Sequence, residues 1–405
     1  MAGLDLPRVL YVGDVQIEDS HHSSAQLFRL LSTYPPSLLE VIETWTPSRL
    51  DRRLPQVKYL FGALAPGVPR VGRGAGFAWH AATATCLDAR LRLAADAFAP
   101  QAVLTIGYGF GWIAAARLAR SRRLPLLFIA HDEWPKLRGS HRLVTAWLRH
   151  QFATTYRQAN TRLCVSPLMA DQFQRRYGCA ASVLYPVCGD DGPTPGPVTP
   201  RVLAKGDRLV IGFAGASGQE VMHALRELAP ALARGNGSVI AYGPFDEAQR
   251  RELLSLSSAF EFPGFVDTAR EMIGQLRARA DILFLPMSFD SATGDYATLS
   301  FPSKLADYTR IGLPILVYGP AYCSAAQWAA NHGEAAELVT TAGVEALAGA
   351  LGHLKDNAAR RQQLAQRAAG AAEMFAPSRG RAALHAALQA ALATAGAGMP
   401  QSRRA

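Results

Sequence analysis

The stretch Ala280–Pro320, ADILFLPMSFDSATGDYATLSFPSKLADYTRIGLPILVYGP, decides how the chain is read. Two apolar runs in it, Ile282–Leu285 and Pro314–Tyr318, have the length and composition of buried strands. Between them lie a polar loop, Ser288–Leu299, and a short helix that opens at Ser303-Lys304. A strand–loop–helix–strand unit of this kind puts a helix N-terminus and a lysine at the carboxyl edge of a parallel sheet. Open α/β sheets bind their ligands at that edge. Backbone N–H groups and the helix dipole favour a phosphate there.

The same alternation extends in both directions. Upstream, strands are predicted at Leu209–Phe213, Gly237–Tyr242 and Phe260–Phe262, with helices at Glu220–Ala233, Phe245–Leu254 and Thr268–Arg279. The first half repeats the plan, with strands at Arg8–Gly13, Leu39–Thr44, Ala102–Ile106, Pro125–Ala130 and Arg162–Val165. Helices are predicted there at Ser23–Leu31, Ala81–Phe98, Trp112–Ser121, Arg142–Gln158 and Pro167–Tyr177, the last capped by Ser166. The segment Pro186–Asp207 is rich in Pro, Gly and Asp, has no apolar period, and reads as a linker. Alanine-rich helices follow at Gly343–Asp356, Ala358–Met374 and Arg379–Ala393. Such alternation implies α/β architecture with two doubly wound, Rossmann-like parallel sheets.

Length and composition agree. A chain of 405 residues, 49% hydrophobic and 18% charged, buries a large core and is expected to form two domains. No run is long and apolar enough to span a bilayer, and the N-terminus lacks the plan of a signal peptide. Five cysteines without metal-ligand spacing read as reduced thiols of a cytoplasmic protein. The net charge of +10 is uneven. Residues 1–200 carry 22 Lys+Arg against 14 Asp+Glu, net +8, and residues 201–405 carry 20 against 18, net +2. The excess reads either as a solvated surface or as attraction to an anionic membrane or a diphospholipid acceptor. No groove-reading motif suggests nucleic acid. Gly107–Gly111 is a loose G-x-G-x-G without the rest of a dinucleotide fingerprint.

The run Phe301-Pro302-Ser303-Lys304-Leu305-Ala306-Asp307-Tyr308, with Gly312 and Pro314 after it, resembles the donor-sugar motif of GT-B fold glycosyltransferases, family 4 in particular, in an F-P-S-K variant. Phe213-Ala214-Gly215 looks like that family's first donor loop, Tyr242-Gly243-Pro244 like its second, and Gly264-Phe265-Val266 and Ala280-Asp281-Ile282 like later landmarks. The resemblance implies two Rossmann-like domains facing across a cleft. Residues 1–190 would form an acceptor-side domain and 191–207 a linker. Residues 208–376 would bind the nucleotide sugar, 377–395 would be a helix crossing back to the first domain, and 396–405 a tail.

The resemblance also implies a site. Lys304 would neutralise the leaving diphosphate and Asp307 would hold the ribose hydroxyls. Gly215, Ala216, Ser217, Gly243, Pro244, Phe265, Thr298, Leu299, Ser300 and Ser303 would complete the donor side. Leu299 stands where the family has the first acid of its E-x7-E pair, so the main chain of 297–300, or Asp295, would take over its sugar contacts. In the first domain the strand-end pair His131-Asp132 would meet the transferring centre, with Gly13, Asp14, His21, His22, Tyr108 and Trp134 toward the acceptor. The implied activity is a metal-independent, cofactor-free glycosyl transfer from a nucleotide-diphosphate sugar to a lipid-linked or bacterial cell-envelope polysaccharide acceptor, with retention. Inversion with Asp132 as base, a GT-B sugar-nucleotide 2-epimerase, and a non-catalytic two-domain binding protein stay open. The expected location is cytoplasmic, peripheral on an anionic membrane face.

Overall fold

The strands pair in parallel throughout two sheets, as alternating strands and helices require. The structure, a computed structural model, describes residues 6–19, 22–44, 50–61, 89–133, 142–190, 196–266, 268–290 and 294–397. It divides into two units, one made of Met1–Tyr185 with Ser378–Ala405, the other of Pro186–Pro377.

Unit 1 holds β1 (Val9–Gly13), β2 (Leu39–Glu43), β3 (Lys58–Phe61), β4 (Ala102–Ile106), β5 (Leu126–Ala130), β6 (Thr161–Cys164) and β7 (Ser182–Val183) in the order β3-β2-β1-β4-β5-β6-β7. The chain winds outward from β1 in one direction, then returns to β4 and winds in the other. The switch point therefore lies between β1 and β4. Strands β1, β2, β4 and β5 are buried along their whole length, as sheets covered on both faces are. An aromatic cluster welds the helices to one face. Phe152 of the helix Arg142–Gln158 lies 5.4 Å from Phe128 of β5, 5.8 Å from Trp112 and 5.9 Å from Phe173, ring centre to ring centre. The C-terminal helix Pro377–Ala397 is tied to this unit, where Arg381 donates to the Arg29 carbonyl at 2.8 Å and His385 meets the Tyr34 ring edge-on.

Unit 2 holds β8 (Leu209–Ala214), β9 (Gly237–Tyr242), β10 (Phe260–Gly264), β11 (Ile282–Pro286), β12 (Ile315–Tyr318) and β13 (Glu337–Val339) in the order β10-β9-β8-β11-β12-β13. Its switch point lies between β8 and β11. Leu225, Leu228 and Leu232 of the helix Gln219–Gly235 share a core cluster with Leu347, Leu351 and Leu354 of the helix Val344–Asp356.

Besides the short strands β3 and β7, which were not expected, three local features differ from the sequence expectation. Within the expected loop 288–299, Gly294–Leu299 is a helix, because Ala297 and Leu299 turn into the core. A helix at Ser324–Asn331 and the edge strand β13 follow β12, where no element was expected. Residues 196–207 lack regular structure but are fastened down. Val198 N–H donates to the Gly312 carbonyl at 2.8 Å, Arg201 pairs with Asp281 at 2.7 Å, and buried Arg361 donates to the Arg201 carbonyl at 2.8 Å.

Phe152→Ala removes the ring on which this cluster converges. It is expected to destabilise the protein by about 3–5 kcal/mol, read as a lowered urea midpoint for the transition that reports unit 1.

Candidate functional site

In unit 2 the site is built where β8 and β11 part. β8 ends at Ala214, and Gly215 follows with φ of +152°, donating its N–H to the Tyr242 carbonyl at 3.0 Å. The φ of this turn favours glycine, and a Cβ there would also displace the end of the Lys304 side chain. Lys304 opens the helix Lys304–Ile311 and reaches across the switch point, its Nζ lying 4.5 Å from the centre of the Phe213 ring. Tyr308, one turn on, anchors this reach, because its phenol accepts the Ala214 N–H at 3.0 Å.

The electrostatics of Lys304 are unusual. Burial lowers its pKa to about 8, and no carboxylate among the described residues pairs with it. Three residues after Gly215, the helix Gln219–Gly235 begins at Gly218, a glycine that offers no side-chain cap. A desolvated ammonium and an open helix N-terminus both favour an anion.

The other donor-side residues surround this point with differing roles. Ser217 Oγ donates to the Pro244 carbonyl and Gln249 Nε2 to the Ser217 carbonyl, each at 3.0 Å, which pins the loop containing Ala216. Gly243 N–H reaches the Gly264 carbonyl at 3.3 Å, and beyond it Phe265 is half exposed. Leu299 and Ser300 are buried and Thr298 is half-buried, so the main chain is what 298–300 can chiefly offer a ligand. Ser303 precedes Lys304 without a side-chain cap bond. Asp307 lies in the same first turn, and its charge adds to the upward push that burial exerts on the Tyr308 phenol. Asp295 opens the short helix after Gly294; its side chain is outside the described residues.

In unit 1 the equivalent switch point carries opposite charge. Gly13 ends β1, and Gly111 packs so tightly on it that a Cβ at Gly111 would lie 2.7 Å from the Gly13 Cα. Asp14 accepts from the amides of Phe110 and Gly111, the latter at 3.2 Å, and from the Thr44 hydroxyl. Tyr108, partly exposed, has its phenol pKa raised by burial and further by the carboxylates of Asp132 and Asp14. Asp14, Tyr108 and Asp132 thus share one end of this sheet. His131 follows β5, and burial lowers its pKa to about 4, so its imidazole is neutral near pH 7. His22 begins the helix His22–Leu31, while His21 and Trp134 lie outside the described residues.

Sequence reasoning missed two members. Phe213 stood only as part of the strand and donor-loop resemblance, not as the face beneath Lys304, and the uncapped start of Gln219–Gly235 was not singled out. The absence of Ser, Thr, Asp or Asn at position 218 was the available signal.

Residues 40–187 match the family described as Glycosyltransferase Family 4. Among solved structures, sucrose-phosphate synthase from Thermosynechococcus elongatus superposes with a TM-score of 0.68 over 95% of this chain and 98% of its own, at 14% identity. HepE of Anabaena, solved with UDP and glucose, gives 0.66 over 95% and 99%, at 15% identity. α,α-Trehalose 6-phosphate synthase from Burkholderia multivorans gives 0.65 over 99% and 100%, at 12% identity. Among curated proteins no sequence matches. The fold is the two-domain GT-B architecture of these neighbours. The family match covers residues 40–187, and the likeness to these structures is one of fold.

An anion held by Lys304 depends on its proton. The folded pKa of about 8 lies below the 10.4 of a free lysine, so the site loses its charge first as pH rises. Sulfate, whose own charge is constant here, is expected to bind roughly tenfold more weakly at pH 9.5 than at pH 6.5. Lys304→Met should remove that pH dependence in calorimetric titration. Over the same range, release of the buried proton should make the fold more stable as pH rises from 8 toward 10.

Proposed function

We propose that this chain is a glycosyltransferase that moves a sugar from a nucleoside-diphosphate donor to a hydroxyl of a lipid-linked or polysaccharide acceptor, with retention at the anomeric carbon and without a metal ion. The observation that carries the donor assignment is Lys304. Its half-buried side chain meets no carboxylate among the described residues, and it lies against the Gly215 turn at the sheet's switch point. A partly desolvated cation without a counter-charge is disfavoured, and a diphosphate would supply that charge. HepE, which shares the fold, is solved with UDP and with UDP-glucose, and the same donor chemistry suits the site here.

In this reading negative charge grows on the diphosphate as the glycosidic bond breaks, and Lys304 with the open amides at Gly218 stabilises it. The lysine supplies the cation that a metal ion would otherwise bring. Asp307 accepts the ribose hydroxyls, and Gly215, Ala216, Ser217, Gly243, Pro244 and Phe265 shape the nucleotide wall. Thr298, Leu299, Ser300 and Ser303 contribute main-chain groups. His131, neutral near pH 7, hydrogen-bonds the transferred sugar without adding charge. Gly13, Asp14 and Tyr108 lie on the acceptor side. A second reading, inversion, is favoured by one observation: Asp132 follows β5 within electrostatic reach of the Tyr108 phenol, as a base for an acceptor hydroxyl would.

The acceptor class rests on charge. On the helix Gly111–Arg122, Arg117, Arg120 and Arg122 are exposed, as is Arg123 at its C-cap; Arg149 is exposed on Arg142–Gln158. Their partners Gln158 and Asp96 leave the face strongly basic. No helix among the described residues is long and apolar enough to cross a membrane. We read this face as a peripheral contact with anionic lipid, which brings a lipid-linked acceptor within reach.

Two measurements test these assignments. With UDP-glucose as donor and lipid extract as acceptor, Lys304→Ala should lower kcat by roughly a hundredfold or more without lowering the urea midpoint. EDTA should not affect the wild-type rate. Free UDP appearing without acceptor, or an isomerised sugar nucleotide, would instead indicate hydrolysis or epimerisation. In liposome sedimentation the protein should pellet with anionic vesicles at low salt and release near molar salt, each arginine near the surface being worth about 1 kcal/mol. Equal partitioning to neutral vesicles would point to a soluble acceptor.

A further inference from the structure

The helix Gly111–Arg122 begins at the switch point of unit 1, the position where a doubly wound sheet offers amides and a positive dipole to a phosphate. Its own N-cap residue, Phe110, gives it no side-chain cap. The position is filled from elsewhere in the sequence. Asp14 Oδ2 accepts from the Phe110 and Gly111 amides, while Oδ1 accepts from the Thr44 hydroxyl on the loop after β2. The chain's own carboxylate therefore sits where a ligand's phosphate would sit. The surroundings leave no room for both. A Cβ at Gly109 would collide with the Asp14 carboxylate, and one at Gly111 with the Gly13 backbone.

The neighbouring charges have the same sign. Asp132, at the end of β5, acts on the same Tyr108 phenol as Asp14. Arg53, held near the end of β2, is committed to Glu43 at 2.7 Å and to Glu18 at 3.4 Å. Among the described residues, Asp14 and Asp132 lie at this edge of unit 1, and exposed arginines lie on the helix Gly111–Arg122. Carboxylates accept hydrogen bonds from sugar hydroxyls and repel phosphates.

We propose that Asp14 closes the anion seat of unit 1 and thereby restricts the acceptor to an unphosphorylated sugar or polyol hydroxyl. The word acceptor rests on the glycosyl-transfer reading; the closed seat does not. Asp14 is a specificity residue in this scheme: it discriminates among acceptors and takes no part in bond breaking. A lipid-linked acceptor fits if the part that enters unit 1 is its neutral terminal sugar.

The test uses the full chain with Lys304→Met, which removes the cation of the donor site, and titrates inorganic phosphate, glucose and glucose 6-phosphate by calorimetry. On this background Asp14→Gly is expected to bind inorganic phosphate at least about tenfold more tightly than the chain that keeps Asp14. Asp14→Asn keeps an oxygen on the two amides, preserves the fold and removes the charge. It is expected to abolish discrimination against glucose 6-phosphate relative to glucose without opening the seat to free phosphate. The proposal is overturned if neither variant changes phosphate or glucose 6-phosphate affinity. It is also overturned if the chain with Asp14 binds glucose 6-phosphate more tightly than glucose. Failure of the glycosyl-transfer reading shows separately, as absence of UDP binding in the Lys304 wild type, and leaves the phosphate titration intact.

Discussion

The unit 2 site depends on one cation held in a poor place for a cation. Lys304 loses hydration on burial, sits at a helix N-terminus where the dipole opposes it, and has no carboxylate partner among the described residues. The Phe213 face beneath it returns about 0.5–2 kcal/mol. The side chain is half-buried, so its desolvation penalty falls short of that of full burial, and the aromatic contact offsets part of it. The remainder is carried by the fold, through the Tyr308 phenol that locks the helix to β8 and through a turn residue with no side chain at 215. An anion at this point relieves all three terms together, and for that reason the site reads as one made for a diphosphate.

Unit 1 uses the same topology with the charge reversed. Each sheet winds outward from its first strand and then from its fourth, and each opens a switch point at the carboxyl ends of those strands. In unit 2 a lysine projects into that opening and the nearby helix N-terminus is uncapped. In unit 1 the helix N-terminus is bound to Asp14, and a second carboxylate, Asp132, lies within reach of the same phenol. In the readings proposed above, one architecture provides a place for a phosphate and a place that excludes one. The two substrates of a glycosyl transfer differ in this way when the donor is a nucleoside diphosphate and the acceptor is neutral.

Much of the fold was legible because it rests on local patterns. Apolar runs separated by capped, amphipathic segments mark β1, β4, β5, β8, β9, β11 and β12, whose side chains are buried on both faces. The short edge strands β3, β7 and β13 were not legible, since an edge strand needs little apolar sequence and borrows its pairing from a neighbour. The helix Gly294–Leu299 escaped for a similar reason: six residues are too few to show a period. Residues 196–207 read as a linker because Pro and Gly suppress regular structure. Their attachment through Arg201, Asp281 and Arg361 joins residues far apart in sequence.

The sequence by itself determined the fold class and where its candidate site residues fall: two parallel sheets, a lysine at a helix start after the fourth strand of the second sheet, and a His-Asp pair after a strand of the first. These follow from hydrophobic period and turn chemistry, which act over a few residues. Only the tertiary structure decided what those side chains meet. That Lys304 lies over Phe213 and against Gly215, and that Asp14 caps a helix begun 97 residues later, are contacts made by strand order. Strand order places side by side segments that the chain visits far apart. The charge state of a buried group depends on those neighbours and on lost solvent, neither of which a local pattern of residues records.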